Sequence, residues 1–302
     1  MQSAFTFRQI AGKNSEFLPD QKLIYNGKTL DLSEPLVMGI LNLTPDSFYK
    51  GSRIQNIEQL IGIAGKMLEA GAKCLDLGAF STRPGADFIS AEEEADRLLE
   101  SLQLLQKSFP EIWLSVDTFR ESVARQAIEN GASMINDISG GTFDENMLAF
   151  IAKNNIPYVL MHIAGTIETM HQHTLNADEI IGEVKEFFEN QVNKLLRLGA
   201  TQLVLDPGFG FGKSLAANYK LISGFEQINP WNFPVLTGVS RKSMIWKILE
   251  NDPEKALNGT SVLHSWALQQ GTTILRVHDV NEAAECIKLS QFMRQVLIGQ
   301  ND

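Results

Sequence analysis

Cysteine is almost missing from this chain: 302 residues contain two, Cys74 and Cys286. Both are isolated, one in an apolar run and one in a helical pattern. That excludes a disulfide framework and leads us to expect a reducing, cytoplasmic setting. Long apolar runs are missing too, and the first residues lack a charged-then-apolar leader. The sequence therefore predicts no membrane span and no signal peptide. Basic blocks are missing, and the net charge is −10. A nucleic-acid partner is not expected, and any anionic ligand must be met by individually placed Arg and Lys. HExxH, CxxC and a Ser-His-Asp order are absent, so zinc and hydrolase chemistry find no support. His171-x-His173 has no third ligand nearby and reads as a surface pair.

What is present is a rhythm. Apolar residues make up 44% of the chain, enough for a large core. Residues 1–35 look like an extension, with Asn26-Gly27 between two short alternating runs, a strong hairpin signal. From Leu36 onward, short apolar runs at 36–41, 73–78, 112–117, 133–137, 157–161, 203–206, 234–238 and 273–277 read as strands. Helical patterns alternate with them at 56–70, 91–107, 119–130, 144–154, 177–198, 215–227, 242–269 (with a break near Asp252-Pro253) and 280–298. Gly71, Gly131, Gly199 and Gly271 stand where helices should stop. Strands that are continuously apolar are covered on both faces. Eight β/α units in residues 36–302 predict a closed (β/α)8 TIM barrel with an N-terminal β-hairpin extension. The stripe Phe187, Phe188, Val192, Leu195 and Leu196 sits at helical spacing and reads as core.

The stretch Leu203–Ser214, LVLDPGFGFGKS, ends in Gly-Lys-Ser and invites a nucleotide reading. The spacing refuses it. A P-loop needs four residues before Gly-Lys-Ser/Thr, and the dinucleotide fingerprint is G-x-G-x-x-G. What remains is a strand that delivers Asp206 to a glycine-rich loop, with Lys213 and Ser214 opening a helix.

Chemistry in a barrel sits at the C-terminal ends of the strands, and those ends are rich in polar residues here. Asp117, Asn136 and Asp206 are acceptors that together suit a heterocycle presenting several N–H groups. Each by itself could instead cap the following helix. Arg83, Arg276 and His278 are cationic groups suited to phosphate or carboxylate, with Thr82 and Asn42 as neutral donors. The bland alternative for Arg276 is a structural pair with Asp279. Asn42 beside a pyrophosphate would suit Mg2+, which takes few protein ligands. Ser240 and Lys242 open a helix, a natural anion seat, although these residues on their own favour a solvated basic turn.

These residues resemble dihydropteroate synthase, the folate-pathway family. The motifs lie in the family's order: Asn42 to Phe48, Ser81 to Gly85, Ser115 to Thr118, Ile135 to Gly141, Asp206 to Lys213, Ser240 to Lys242, and Arg276 to Asp279. The resemblance implies condensation of 6-hydroxymethyl-7,8-dihydropterin pyrophosphate with p-aminobenzoate, with Mg2+, usually in a homodimer. It implies that Asp117, Asn136, Asp206 and Lys242 hold the pterin, with Met161 packed under it and Arg276 stacked on it. Asn42, Thr82, Arg83, Arg276 and His278 would hold the pyrophosphate and Mg2+. Pro84, Phe211 and Ser240 would line the p-aminobenzoate site. Asp117, Asp206, Lys242, Arg276 and His278 would carry the catalysis. Two loops depart from the family pattern, at Ala79-Phe80 and at Tyr49-Lys50-Gly51-Ser52. The alternatives are a non-catalytic pterin-binding paralogue and a pterin-dependent methyltransferase. The methyltransferase has no need for Ser-Thr-Arg-Pro-Gly, Ser-Arg-Lys or the Arg276/His278 clamp.

Overall fold

The structure, a computed structural model, describes residues 21–43, 53–79, 89–166, 169 and 174–297. Thr82, Arg83, Pro84 and the His171-x-His173 pair lie outside the described residues. The hairpin forms as expected, from β1 (Lys22–Tyr25) and β2 (Lys28–Asp31). Asn26 and Gly27 turn it at φ of 48° and 77°, the left-handed pair that suits a tightly twisted ribbon.

The parallel strands are β3 (Leu36–Asn42), β4 (Ala72–Gly78), β5 (Trp113–Asp117), β6 (Met134–Asp137), β7 (Tyr158–Met161), β8 (Leu203–Asp206), β9 (Leu236–Thr237) and β10 (Ile274–Val277). They lie in the order β8-β7-β6-β5-β4-β3-β10-β9, so the first and last strands of the series are neighbours. The circle nearly closes through an isolated bridge between Leu205 and Val235, where the Leu205 N–H donates to the Pro234 carbonyl at 2.8 Å. Pro234 has no N–H to extend the ladder. β9 is accordingly two residues, shorter than the predicted 234–238, and the seam falls beside it.

Helices α1 (Arg53–Glu69), α2 (Ala91–Ser108), α3 (Glu121–Glu129), α4 (Met147–Asn154) and α5 (Ile180–Leu198) follow the predicted segments closely. The 215–227 segment breaks into α6 (Leu215–Ile222) and α7 (Phe225–Ile228). Gly224 lies in the gap, and a Cβ there would meet the Ile181 side chain at 2.5 Å. The 242–269 segment breaks into α8 (Ser243–Trp246), a 3-10 turn (Pro253–Lys255) and α9 (Leu257–Gln269), then α10 (Val280–Leu297) ends the described chain. Pro253 at the start of the turn makes the expected interruption.

Strand side chains alternate between faces, and the alternation divides the core in two. One set, including Leu41, Leu75, Leu77, Val116, Leu160 and Leu205, faces the helices in the larger apolar cluster, together with Phe188, Val192 and Leu195 of α5. The other set, Met38, Cys74, Trp113, Met134, Val159, Val204, Leu236 and Ile274, faces the barrel axis. Leu23 and Leu30 of the hairpin and Leu32 beyond it belong to this second cluster, so the hairpin plugs the N-terminal end of the barrel. Leu23 is 2% exposed. Replacing it with Ala should destabilise the protein by about 3 kcal/mol, the usual cost of emptying a leucine site. A urea melt with an unshifted midpoint would show that the plug adds nothing to the core.

Candidate active site at the barrel mouth

The same alternation builds the site. Counting in twos from the apolar axis-facing residues reaches Asn42, Asp76, Asp117, Asn136, Met161, Asp206 and Arg276 at the C-terminal half of the strands. Register sets Asn42 level with Gly78, Gly78 with Asp117, and Asp117 with Asn136. Asp137, one residue further, falls on the opposite face. There its carboxylate accepts from Tyr158 Oη (2.7 Å), Ser139 N and Oγ (2.7 Å each) and Gly141 N (2.9 Å), and it shapes the loop after β6.

Arg276 is the hub. Its Nε donates to Asp76 Oδ2 at 2.6 Å and its Nη2 to Asp117 Oδ2 at 2.8 Å. The expected structural alternative, a pair between Arg276 and Asp279, is not what forms; Asp279 pairs with Arg241 instead. Asp117 does not cap α3 either: Arg120 stands at the N-cap position, and the Glu121 N–H donates to Asp144 Oδ2 at 2.8 Å. Asp76 also accepts from Asn136 Nδ2 at 2.9 Å. That bond orients the amide, and Asn136 Oδ1 is left buried with no partner among the described residues. Asp76, a polar residue at the end of its strand, is the site residue to which the family resemblance gave no role. The signal was available: it lies two residues before Gly78 and so on the same face.

Asp206 is 6% exposed, and its Oδ1 accepts from Gly208 N at 2.7 Å, closing a tight turn. Gly208 has φ 69°, and a Cβ there would run into the His162 carbonyl. Lys213 does no phosphate work in this arrangement. It is buried, and its Nζ donates to the carbonyls of His162 (3.2 Å), Gly208 (2.8 Å) and Phe211 (3.0 Å). Three carbonyls match three ammonium protons, so Lys213 ties the glycine loop to the end of β7. Ser214 caps α6, its Oγ accepting from Ala217 N at 3.2 Å, as expected for a helix start. Lys242 Nζ donates to the Phe209 carbonyl at 2.5 Å and lies 4.6 Å from the Phe211 ring centroid. It is pinned rather than freely mobile, and the solvated-turn reading fails. Met161 packs with Phe119, Ile138 and Ile163, and Phe211 lies against that cluster. Ser240 Oγ accepts from His278 N at 3.2 Å and sits 3.1 Å from His278 Nδ1. Asn42 stands half-buried at the end of β3.

Burial pushes the Asp117 carboxyl up to about 7; Arg276 opposes this, while Asp76, Glu94 and Asp137 add to it. Burial likewise raises Asp206, against Lys242, the Gly208 N–H, Arg276 and Lys213. Lys242 is pushed down to about 8 by burial, with Asp206 pulling the other way. Burial would lower Arg276, but Asp76, Asp117 and Asp206 outweigh it and hold the guanidinium above its ordinary value. The mouth is thus acceptor-rich, with Arg276 opposing the effect of burial at Asp117 and Lys242 doing so first at Asp206.

An eight-stranded parallel barrel with its polar side chains gathered at the strands' C-terminal ends defines a TIM-barrel enzyme. The comparisons specify which. A family model described as "Pterin binding enzyme" matches residues 38–278. The dihydropteroate synthase of Escherichia coli (strain K12) is 40% identical over 270 residues, covering 89% of this chain and 95% of that protein. The Synechocystis sp. dihydropteroate synthase is 42% identical over 257 residues, covering 84% and 88%. The crystal structure of Yersinia pestis dihydropteroate synthase with a sulfonamide drug complex superimposes with a TM-score of 0.83 at 39% identity, covering 91% of this chain and 99% of that one. Xanthomonas albilineans dihydropteroate synthase with 4-aminobenzoic acid gives 0.83 at 35% identity, covering 91% and 98%. The chain belongs to the dihydropteroate synthase family of pterin-binding enzymes.

The electrostatics carry a sign that can be measured. Arg276 opposes the burial of Asp117, so Arg276→Met should raise the Asp117 pKa above its value of about 7. Carboxyl 13C chemical shifts followed against pH would report it. An Asp117 that titrates below pH ~5 in both proteins would refute the buried-carboxylate description.

Proposed function

We propose that the chain is a dihydropteroate synthase of folate biosynthesis, condensing 6-hydroxymethyl-7,8-dihydropterin pyrophosphate with p-aminobenzoate. The observation that carries the residue roles is the converging set Asp117, Asn136 and Asp206, with Asn136 Oδ1 unpartnered among the described residues and Arg276 fixed beside the set. Asp117, Asn136, Asp206 and Lys242 bind the pterin, Met161 packs beneath it and Arg276 stacks on its ring. Asn42, Arg276 and His278 serve the pyrophosphate. Thr82, Arg83 and Pro84 enter on the family resemblance alone. Phe211 and Ser240 line the arylamine side, in keeping with the Lys242–Phe211 contact that closes that edge.

The chemistry asks little of the protein beyond placement and charge. The CH2–O bond breaks and its electron pair leaves with pyrophosphate. The methylene cation is delocalised into the pterin ring. The arylamine nitrogen then forms the C–N bond and loses a proton. Arg276 and His278 favour charge on the departing oxygens. Asp117 and Asp206 favour the electron-poor ring. Holding the two substrates in line removes most of the entropic barrier. No cluster of three His, Cys, Asp or Glu suited to a metal exists among the described residues. The hard amide oxygen of Asn42 fits Mg2+ arriving with the substrate phosphates, where it would offset their charge.

We also infer a homodimer. In support, α9 and α10 pack together and leave Val262 and Trp266 of one, and Leu289, Phe292, Met293 and Val296 of the other, exposed. No helix among the described residues is long and apolar enough to cross a membrane. Both cysteines are buried and free, which suits the reducing cytoplasm we assign. The partners are small molecules rather than nucleic acid.

The test is formation of dihydropteroate by purified protein given Mg2+ and both substrates. Pterin binding without product would mark a non-catalytic paralogue. Arg276→Ala should lower kcat by about 10²–10³ or more, the scale seen when a charge-stabilising donor is lost. Asp206→Asn should weaken pterin binding about tenfold or more by calorimetry, as loss of a charged hydrogen-bond acceptor does. Unchanged affinity would assign Asp206 to the turn at Gly208 alone. Sedimentation velocity should find a dimer, and a monomer at micromolar concentration would remove that inference.

A further inference from the structure

Five described residues other than glycine have left-handed backbone: three asparagines, Glu250 and Arg241. Asparagine tolerates that region; arginine gains nothing from it. Arg241, at φ 55°, also sits between two candidate site residues, Ser240 and Lys242. Disfavoured backbone at such a place persists only where the surroundings over-determine it.

The surroundings do so. Arg241 Nε and Nη2 make a bidentate pair with Asp279, at 2.8 Å to each carboxylate oxygen. Its Nη1 donates to the carbonyls of Glu254 (2.9 Å) and Pro253 (3.1 Å) in the 3-10 turn. Its backbone N donates to Thr260 Oγ1 of α9 at 3.1 Å. The left-handed turn sends Arg241 outward, while Ser240 reaches His278 and Lys242 reaches Phe209. The loop after β9 and the end of β10 are therefore tied twice, inside by Ser240–His278 and outside by Arg241–Asp279.

We propose that the Arg241–Asp279 pair is a positioning device, locking the turn at residues 240–242 in its left-handed form so that Ser240, Lys242 and His278 face the substrate together. Arg241 and Asp279 themselves touch no ligand. The inference rests on the proposed function for what those three residues meet, but not for the link itself. Without the clamp the turn relaxes to ordinary negative φ, and the side chains on either side of it rotate out of alignment.

Arg241→Lys keeps the charge and loses the fork. Arg241→Gly tolerates positive φ and loses the side chain. Asp279→Asn keeps the shape and loses the charge. Each should raise the KM for pterin pyrophosphate about tenfold, within the range that small misplacements of binding groups cost. The Arg241→Lys/Asp279→Asn double variant should be no worse than the worse single, because the two act as one unit. A pair that merely stabilises the fold would shrink the active fraction, lowering apparent kcat and leaving KM alone. KM within twofold of wild type in every variant, or additive losses in the double, would overturn the proposal. A second readout needs no turnover: the imidazole 15N shifts of His278 report the Ser240 contact. They should change in Asp279→Asn, and wild-type shifts there would equally overturn the clamp. A wild-type protein that makes no dihydropteroate would sink the functional reading, while the 15N shifts still decide the link.

Discussion

Arg276, lodged between Asp76 and Asp117, is the contact on which the rest of the mouth depends. Asp76, Asp117, Asp206 and Asn136 converge there, and burial alone would drive Asp117 and Asp206 to hold their protons. A guanidinium stays charged under any condition the protein meets, and its fork can serve two carboxylates at once. The two bonds span 200 and 159 positions along the chain. They join the last strand to the second and third of the parallel series, across β3. Pairing of β10 with β3 and assembly of the site are thus one event: without it Arg276 loses both Asp76 and Asp117.

The barrel is polarised along its axis. Below the site, Trp113, Met134, Val159, Val204 and the hairpin leucines make an apolar floor that excludes water. Above it, the same alternation delivers the polar set. The floor lowers the local dielectric, which raises the carboxyl pKa values and strengthens each bond that Arg276 makes. The hairpin leucines close the far end of that axis.

The loops add the finer placement. Lys213 spends its three protons on three carbonyls and fixes the glycine loop, which in turn sets Asp206 and Phe211. Lys242 closes the opposite edge of that loop through Phe209. The Gly-Lys-Ser that resembles a phosphate site is thus a brace and a helix cap.

Sequence by itself determined the period, the eight β/α units, the hairpin turn and the polar strand ends, because each is a local pattern of apolar spacing or turn chemistry. The order of motifs from Asn42 to Asp279 determined the family for the same reason. Tertiary structure alone decided the pairings. Arg276 could have met Asp279, three residues away, yet strand register carries it to Asp76 and Asp117. Asn136 finds its partner in Asp76, on a strand 60 positions earlier. Asp137 is as polar as its neighbour in the sequence, and one step of the pleat turns it to the other face. Helix breaks at Gly224 and the short β9 follow from close approach and from a missing N–H at Pro234. Local pattern sets what each segment can be; which charged groups meet is settled only when closure of the barrel brings distant strands into register.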